Sequence, residues 1–304
     1  MKTVKINKKL SVSKIALGCM KIHNLKDYEI EKLILASLEL GINFFDHSDI
    51  YGDTKCESLF GEVLKKHPDI REKMFIQTKV GIIKGKRYDF SKEHILSTVN
   101  EQLKRLNTTY VDSLLLHRPD ALVDYNEVNA AFKILKKEGK VRNFGVSNMN
   151  SFQMALYQSK VKYPLFANQV ELSISQSRLV DEGTYVNRED DLSISRSNGI
   201  LEYAYSKDVL IQTWGSIRGA SGDGSFIDNP KYPELNQKLE ELSKKYKVPK
   251  NAVAVSWLLK FPQKLQVIVG TTSVVHLTEM AKSIDVELTK DEWYSLYLTS
   301  KVLP

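Results

Sequence analysis

The sequence predicts an α/β fold, a closed (β/α)8 TIM barrel with an N-terminal β-hairpin and extra C-terminal helices. Three observations predict it. Short apolar runs alternate with amphipathic stretches of helical period, which is the pattern of a parallel sheet. After an opening hairpin, eight such strand–helix units follow one another, the number that closes a barrel. The segment after the first strand, "LGCMKI", lacks the Gly-x-Gly-x-x-Gly phosphate loop that an open doubly wound sheet prefers. The 304 residues suit one barrel, which typically needs about 250. No Pro/Ser-rich linker interrupts them, so residues 1–304 read as a single domain.

The elements follow in order. "TVKI" and "LSVSKI" form the hairpin. "KIALG" is the first barrel strand, and its helix "YEIEKLILASLELG" is closed by Gly41. "INFF" is a short buried strand followed by the amphipathic "CESLFGEVLKK". "MFIQTK" is a strand, and "SKEHILSTVNEQLKRLN" a helix with Ser91 as N-cap. "VDSLLLH" precedes the helix "YNEVNAAFKILKKEGK", which ends at Gly139. "VRNFGV" and "NSFQMALYQSK" make the fifth unit. "LFANQVEL" is followed by a polar connection, "SQSRLVDEGTYVNREDD", and a helix through "GILEYAYSKD". "VLIQTW" leads to two successive helices, "PELNQKLEELSKKYK" and "KNAVAVSWLLKFP". "LQVIVG" is the last strand, and helices around "VVHLTEMAKSI" and "KDEWYSLYL" finish the chain.

Composition narrows the function classes. The chain is 42% hydrophobic and 27% charged, an ordinary globular balance. No apolar run approaches the roughly 20 residues that span a bilayer, and the charged, alternating "MKTVKINKKLSVSK" is no signal peptide. The expectation is a cytoplasmic protein with no membrane partner, a monomer or weak homo-oligomer. Two cysteines make no disulfide framework. The net charge is +7, but the lysines are scattered; that favours an anionic small ligand over nucleic acid.

In such a barrel the active site lies at the C-terminal strand ends, so the residues found there carry the argument. Strand two ends in Asp46, with Tyr51 in the loop beyond. Strand three ends in Lys79, and strand four in His117. Ser147 and Asn148 follow strand five, Gln169 lies near the end of strand six, Trp214 ends strand seven, and strand eight leads into "GTTS". A tyrosine alone is a poor proton donor near neutrality. A neighbouring lysine cation favours phenolate and lowers the phenol pKa, an aspartate holds that lysine charged, and a histidine polarises a carbonyl oxygen. Together they make a general acid for carbonyl reduction. The hydride must come from a cofactor, because no side chain supplies one.

Taken singly, each residue has a plainer role: Tyr51 a loop tyrosine, Lys79 a strand-end lysine, His117 a core histidine, Trp214 core. Their shared place at the barrel mouth favours chemistry. His47 and Asp49 are expected to make helix-entry hydrogen bonds, and Cys19 to be an inert small hydrophobe. Asp46, His47, Asp49 and His117 are also competent metal ligands, which leaves a metal-dependent barrel hydrolase as an alternative. No His-x-His or His-Glu-x-x-His spacing supports it, and a lysine at the third strand end repels an ion. No metal is expected. A nucleotide-binding regulatory or sensor barrel is the other alternative.

The motifs "FDHSDIYG", "IQTK", "LLLHRPD", "KVRNFGVSN" and "NQVE", in this order, resemble the aldo-keto reductase superfamily over essentially the whole chain, in the variant of a bacterial oxidoreductase subfamily. The resemblance implies a nicotinamide cofactor extended across the barrel top and a tetrad of Asp46, Tyr51, Lys79 and His117. It implies that Ser147, Asn148 and Gln169 hold the carboxamide and that Trp214 stacks on the nicotinamide. Gly18, Met20, Gly215, Ser216, Arg218, Gly270, Thr271, Thr272, Ser273, His276 and Glu279 complete the implied cofactor contacts. The departures lie at the cofactor phosphate. Where relatives carry lysine, serine and arginine, this chain has Gly270, Thr271 and His276, and Met280 replaces a common asparagine. NADPH remains the expected cofactor, with NADH as the second choice. The loop "GSIRGASGDGSFIDNP" is expected to be mobile. Gly81 stands where relatives often place an aromatic, and the chain stops at Pro304. Both point to an open pocket for small carbonyl substrates, lined by Met20, Ile22 and Phe226.

Overall fold

The structure, a computed structural model, describes residues 1–7, 10–189, 191–220, 222–299 and 301. β1 (Thr3–Asn7) and β2 (Leu10–Ser13) pair antiparallel, with Val4 opposite Val12. These two valines face inward and cluster with Phe44, Phe75, Ala167 and Leu210, so the hairpin caps the end of the barrel at which the strands begin.

The repeating units then follow in chain order. β3 (Ile15–Gly18) is succeeded by a 3-10 turn over Cys19–Asn24 and by α1 (Asp27–Glu39). β4 (Phe44–Asp46) is followed by α2 (Lys55–Lys66), and β5 (Phe75–Val80) by a two-stranded excursion, β6 (Ile82–Ile83) and β7 (Arg87–Tyr88), before α3 (Lys92–Arg105). Next are β8 (Val111–Leu116) with α4 (Tyr125–Lys137), and β9 (Val141–Ser147) with α5 (Ser151–Lys160). β10 (Leu165–Glu171) leads to α6 (Arg178–Thr184) and α7 (Ile200–Ser206). β11 (Leu210–Trp214) leads to α8 (Pro233–Tyr246) and α9 (Lys250–Leu259). β12 (Leu265–Val269) is followed by α10 (Val274–Ala281) and α11 (Lys290–Tyr297).

β3, β4, β5, β8, β9, β10, β11 and β12 hydrogen-bond side by side, all parallel, and β12 returns to β3 to close the barrel. The apolar core lies mainly between barrel and helices, where Phe60, Phe132, Tyr157 and Trp257 are buried against strand residues such as Ile76 and Leu114. Helix starts obey local chemistry. Ser91 caps α3, as the sequence predicts, by accepting from the His94 amide at 3.3 Å. Asn150 and Gln153 form a reciprocal capping box on α5.

The sheet register aligns Asp46 with Gln77, Gln77 with Ser113, Gln169 with Gln212, and Gln212 with Gln266. Alternation along a strand then turns these polar side chains into the barrel together.

The sequence reading placed the barrel units correctly and missed three short elements. α6 lies inside the connection read as irregular, because its residues "RLVDEGT" carry no sustained apolar stripe. β6 and β7 are too short for an alternating pattern to register. The tail ending at Pro304, one basis for the open pocket, lies outside the described residues.

Candidate active site

Three strands deliver the reacting groups. β4 ends at Asp46 and its loop brings back Tyr51, Lys79 is next to last in β5, and His117 directly follows β8. Lys79 is fully buried, and its Nζ donates to Asp46 Oδ2 at 2.7 Å, to the Tyr51 hydroxyl at 2.8 Å and to the His47 carbonyl at 3.0 Å. All three ammonium protons are therefore satisfied. Burial pulls its pKa down, but Asp46 and then Tyr51 outweigh that, and it sits above the ordinary lysine value. The lysine stays charged.

Asp46 is held from its other side. Its Oδ1 accepts from Gln77 Nε2 at 2.7 Å and Gln169 Nε2 at 2.9 Å. Gln77 donates to Gln212 Oε1 at 2.9 Å, Gln212 to Gln266 Oε1 at 2.8 Å, and Gln266 to the Ser13 carbonyl at 2.7 Å. Ser113 donates to Gln77 Oε1 at 3.0 Å. A polar layer thus runs across the barrel interior beneath the site. Sequence reasoning missed Gln77, Ser113, Gln212 and Gln266 as members of it. The signal was present: a glutamine interrupts the apolar runs "FIQTK", "LIQTW" and "LQVIV".

The Tyr51 phenol corrects the sequence reading. Lys79 does favour phenolate, yet burial is the larger effect and Asp46 adds to it, so the pKa is pushed up to about 12. Tyr51 is a protonated phenol throughout the neutral range. His117 is driven the other way, to about 2, by burial and then by the charges of Lys79 and Arg118. It is a neutral imidazole, 9% exposed, set nearly perpendicular to the Tyr51 ring at 6.3 Å between centroids.

The residues expected to hold a cofactor are partly brought together. Ser147 Oγ donates to the Gln169 carbonyl at 2.9 Å, Asn148 Nδ2 to Ser147 Oγ at 2.8 Å, and Trp214 Nε1 to Asn148 Oδ1 at 3.3 Å. Trp214 is half-buried, with the Arg218 guanidinium 6.0 Å from its ring and 3.5 Å from Glu171. Gly215 follows Trp214, and the buried Ser216 donates to the Ile268 carbonyl at 3.2 Å. Gly18 ends β3 against Ile268, and Met20 is half-exposed just beyond it. Past β12, no atom lies within 4 Å of where a Gly270 Cβ would stand. Thr271, Thr272 and Ser273 lead from there into α10, where Ser273 is the N-cap, His276 is exposed, and Glu279 accepts from Asn251 Nδ2 at 2.5 Å.

Other expectations are overturned. Ile22 and Phe226 are buried in the core and do not line the mouth. His47 and Asp49 cap no helix: among the described residues neither ring nitrogen of His47 has a partner, its ring packs edge-on against Phe60 at 4.5 Å, and Asp49 accepts from the Ser48 hydroxyl and the Ile50 amide. In the loop after Trp214, Arg218 makes fixed contacts. Arg218 bridges to Ser225, and the Arg218 carbonyl accepts from Ser173 and Ser175 at 2.9 and 2.7 Å. Cys19 is buried, and burial first, then Asp46, pushes its thiol well above the usual range, which fits an inert thiol. Among the described residues no group of three or more His, Cys, Asp or Glu could hold a metal ion. None of their helices is long and apolar enough to cross a membrane.

The barrel and the sequence that builds it agree with known proteins. The aldo/keto reductase family matches residues 14–297, and the chain belongs to that family of oxidoreductases, whose members generally use nicotinamide cofactors. It is 31% identical to a 6-dehydroglucose reductase of Agrobacterium fabrum, over 98% of this chain and 97% of that protein. It is also 31% identical to the oxidoreductase YdhF of Escherichia coli, over 90% of this chain and 88% of that one. A solved thermostable aldo-keto reductase, crystallised with the inhibitor epalrestat, superposes with a TM-score of 0.79 at 24% identity, covering 99% of this chain and all of that one, a likeness of fold.

Proposed function

We propose that this enzyme reduces aldehyde or ketone carbonyls to alcohols with NADPH, and that Tyr51 is the general acid. The observation that carries the reading is the chain Asp46–Lys79–Tyr51, in which a buried, charged ammonium touches a phenol at the barrel mouth. The residues present fit a nicotinamide dinucleotide. Asn148 and Ser147 offer amide and hydroxyl groups beside a half-buried tryptophan face, and Gly270 leaves a cradle open toward α10. When bound, the cofactor supplies a hydride to the carbonyl carbon. Tyr51 Oη gives its proton to the carbonyl oxygen, which becomes the alcohol hydroxyl. Lys79 Nζ, 2.8 Å away, stabilises the phenolate left behind. His117 faces the same space as a neutral ring and orients the carbonyl oxygen.

The cofactor's 2′-phosphate would lie near Thr271, Ser273 and His276 at the start of α10, where backbone amides favour an anion. The 6-dehydroglucose reductase relative makes an oxidised hexose the first compound to try. The test is a fluorescence titration with NADPH and NADH, then a carbonyl panel on wild type and Tyr51→Phe. The variant is expected to bind NADPH as wild type does and to reduce nothing measurable. A variant keeping more than about a tenth of kcat, a barrier change under about 1.4 kcal/mol, removes Tyr51 from the acid role.

A further inference from the structure

We propose that Ser48 and Asp49 are positioning residues for His117: through two hydrogen bonds in series they choose which ring nitrogen carries its proton. Ser48 is fully buried, and its Oγ stands 2.9 Å from Asp49 Oδ1 and 3.1 Å from His117 Nδ1. The inference rests on the reductase reading only for its catalytic consequence. The hydrogen-bond logic stands on the geometry alone.

A hydroxyl has one proton to donate. When Asp49 is a carboxylate it can only accept, so Ser48 gives it that proton. His117 Nδ1 then meets an oxygen with no proton to offer and must itself be the donor. The ring is neutral, so Nε2 carries a lone pair. When Asp49 is a carboxylic acid it donates to Ser48, Ser48 donates to Nδ1, and the ring proton sits on Nε2. The two states differ by one proton. Entering at Nε2, it moves the Nδ1 proton onto Ser48 and the Ser48 proton onto Asp49. Only the second state presents an N–H through which His117 can polarise a carbonyl oxygen beside Tyr51.

The surroundings of Asp49 let this change happen near neutrality. Asp49 is nearly buried, and its pKa is raised to about 6, by burial first and then by Glu57 of α2, against the opposing pull of Ser48, the Ile50 amide and Arg105 of α3. A cleft of about 410 Å³, which also holds Asp53, Lys84 and Glu101, has Asp49 in its wall. None of Tyr51, His117 or Trp214 lines that cleft. Asp49 thus borders a cleft of its own, while the proton that switches the tautomer enters and leaves at His117 Nε2. His117 itself stays neutral over this range, since burial, Lys79 and Arg118 hold its pKa near 2. The switch is in the place of its proton, not in its charge.

The experiment is ¹⁵N NMR of the full chain labelled at histidine. The signals of His117 are assigned among the six histidines by comparison with His117→Asn, and tautomer is read from pH 5 to pH 8. Wild type is expected to move from Nε2–H to Nδ1–H as pH rises, whereas Ser48→Ala and Asp49→Asn each keep one tautomer throughout. In parallel, kcat for carbonyl reduction in wild type should drop about fivefold through the same transition, the factor one neutral hydrogen bond carries. It should not do so in the variants. A single tautomer at all pH values in wild type, or a switch that persists in either variant, overturns the proposal. Failure to reduce any carbonyl overturns the reductase reading instead and leaves the tautomer result standing.

Discussion

A carboxylate that ionises reluctantly weakens the fold that buries it. Asp49 titrates near 6 in the native protein and near 4 in an unfolded chain. Between those values the native state holds the extra proton, so stability falls as pH rises through that window. Above it the whole penalty is felt, roughly 3 kcal/mol. Asp49→Asn removes the ionisation without changing the shape. Thermal scans are expected to show the variant melting above wild type at pH 8, with the gap shrinking as pH is lowered toward 4. A gap independent of pH would show that Asp49 does not carry this penalty. At this scale the places of Asp46, Tyr51, Lys79 and His117 in the fold were legible because each sits at a strand end or in the loop beyond it. The phenol pKa was not, because spacing announces a neighbouring lysine but says nothing about how much water burial removes.

The elements that carry these residues are held from behind. Glu57 of α2 accepts from Thr78 of β5 at 2.7 Å and pairs with Arg105 of α3 at 2.7 Å. Gln102 of α3 donates to Thr78 Oγ1 at 2.9 Å and to the Lys79 carbonyl at 2.7 Å. α2 and α3 thus grip the strand that carries Lys79, and they can do so because Gly61 lets them approach. A Cβ there would stand 2.0 Å from the Arg105 carbonyl oxygen. Gly61→Ala is therefore expected to lose about 1–3 kcal/mol or more in urea unfolding, the cost of forcing atoms into a packed contact. An unchanged midpoint would mean that the helices separate freely. Gly81 shows the same limit on sequence reading. In the sequence it suggests an open pocket, yet its φ is +108°, and a Cβ would fall 2.2 Å from the Phe90 ring. Backbone conformation and the packed ring require glycine there. The helices α1 to α5 were legible from their apolar stripes; α6, with no such stripe, was not.

Over the whole molecule, eight strand–helix alternations without a Gly-x-Gly-x-x-Gly loop after the first strand were enough to read a closed barrel over an open doubly wound sheet. The interior was harder to read. A barrel usually fills itself with branched apolar side chains, and here glutamines and a serine surround Asp46 instead. Gln212 shows how strongly that layer is coupled, since it accepts from Gln77 and donates to Gln266. Gln212→Leu leaves polar groups of both neighbours buried without that partner. The expected loss is about 1–3 kcal/mol for each group so stranded, read as a lower urea midpoint; a variant as stable as wild type would mean that the layer rearranges without penalty.

The same layer orders events during synthesis. Gln266 donates to the carbonyl of Ser13, 253 residues earlier in the chain, and β12 closes the barrel on β3. Until the last strand has left the ribosome, β3 has one edge without its partner and Ser13 lacks its glutamine. The strands carrying Asp46, Lys79 and His117 are made early, yet the enclosure within which Asp46 holds Lys79 charged beside Tyr51 is complete only when β12 docks. A ribosome-bound chain ending before Leu265 would carry Asp46, Tyr51, Lys79 and His117 inside an open, unsealed sheet, and its unpaired β3 edge would be the surface most in need of cover from other strands.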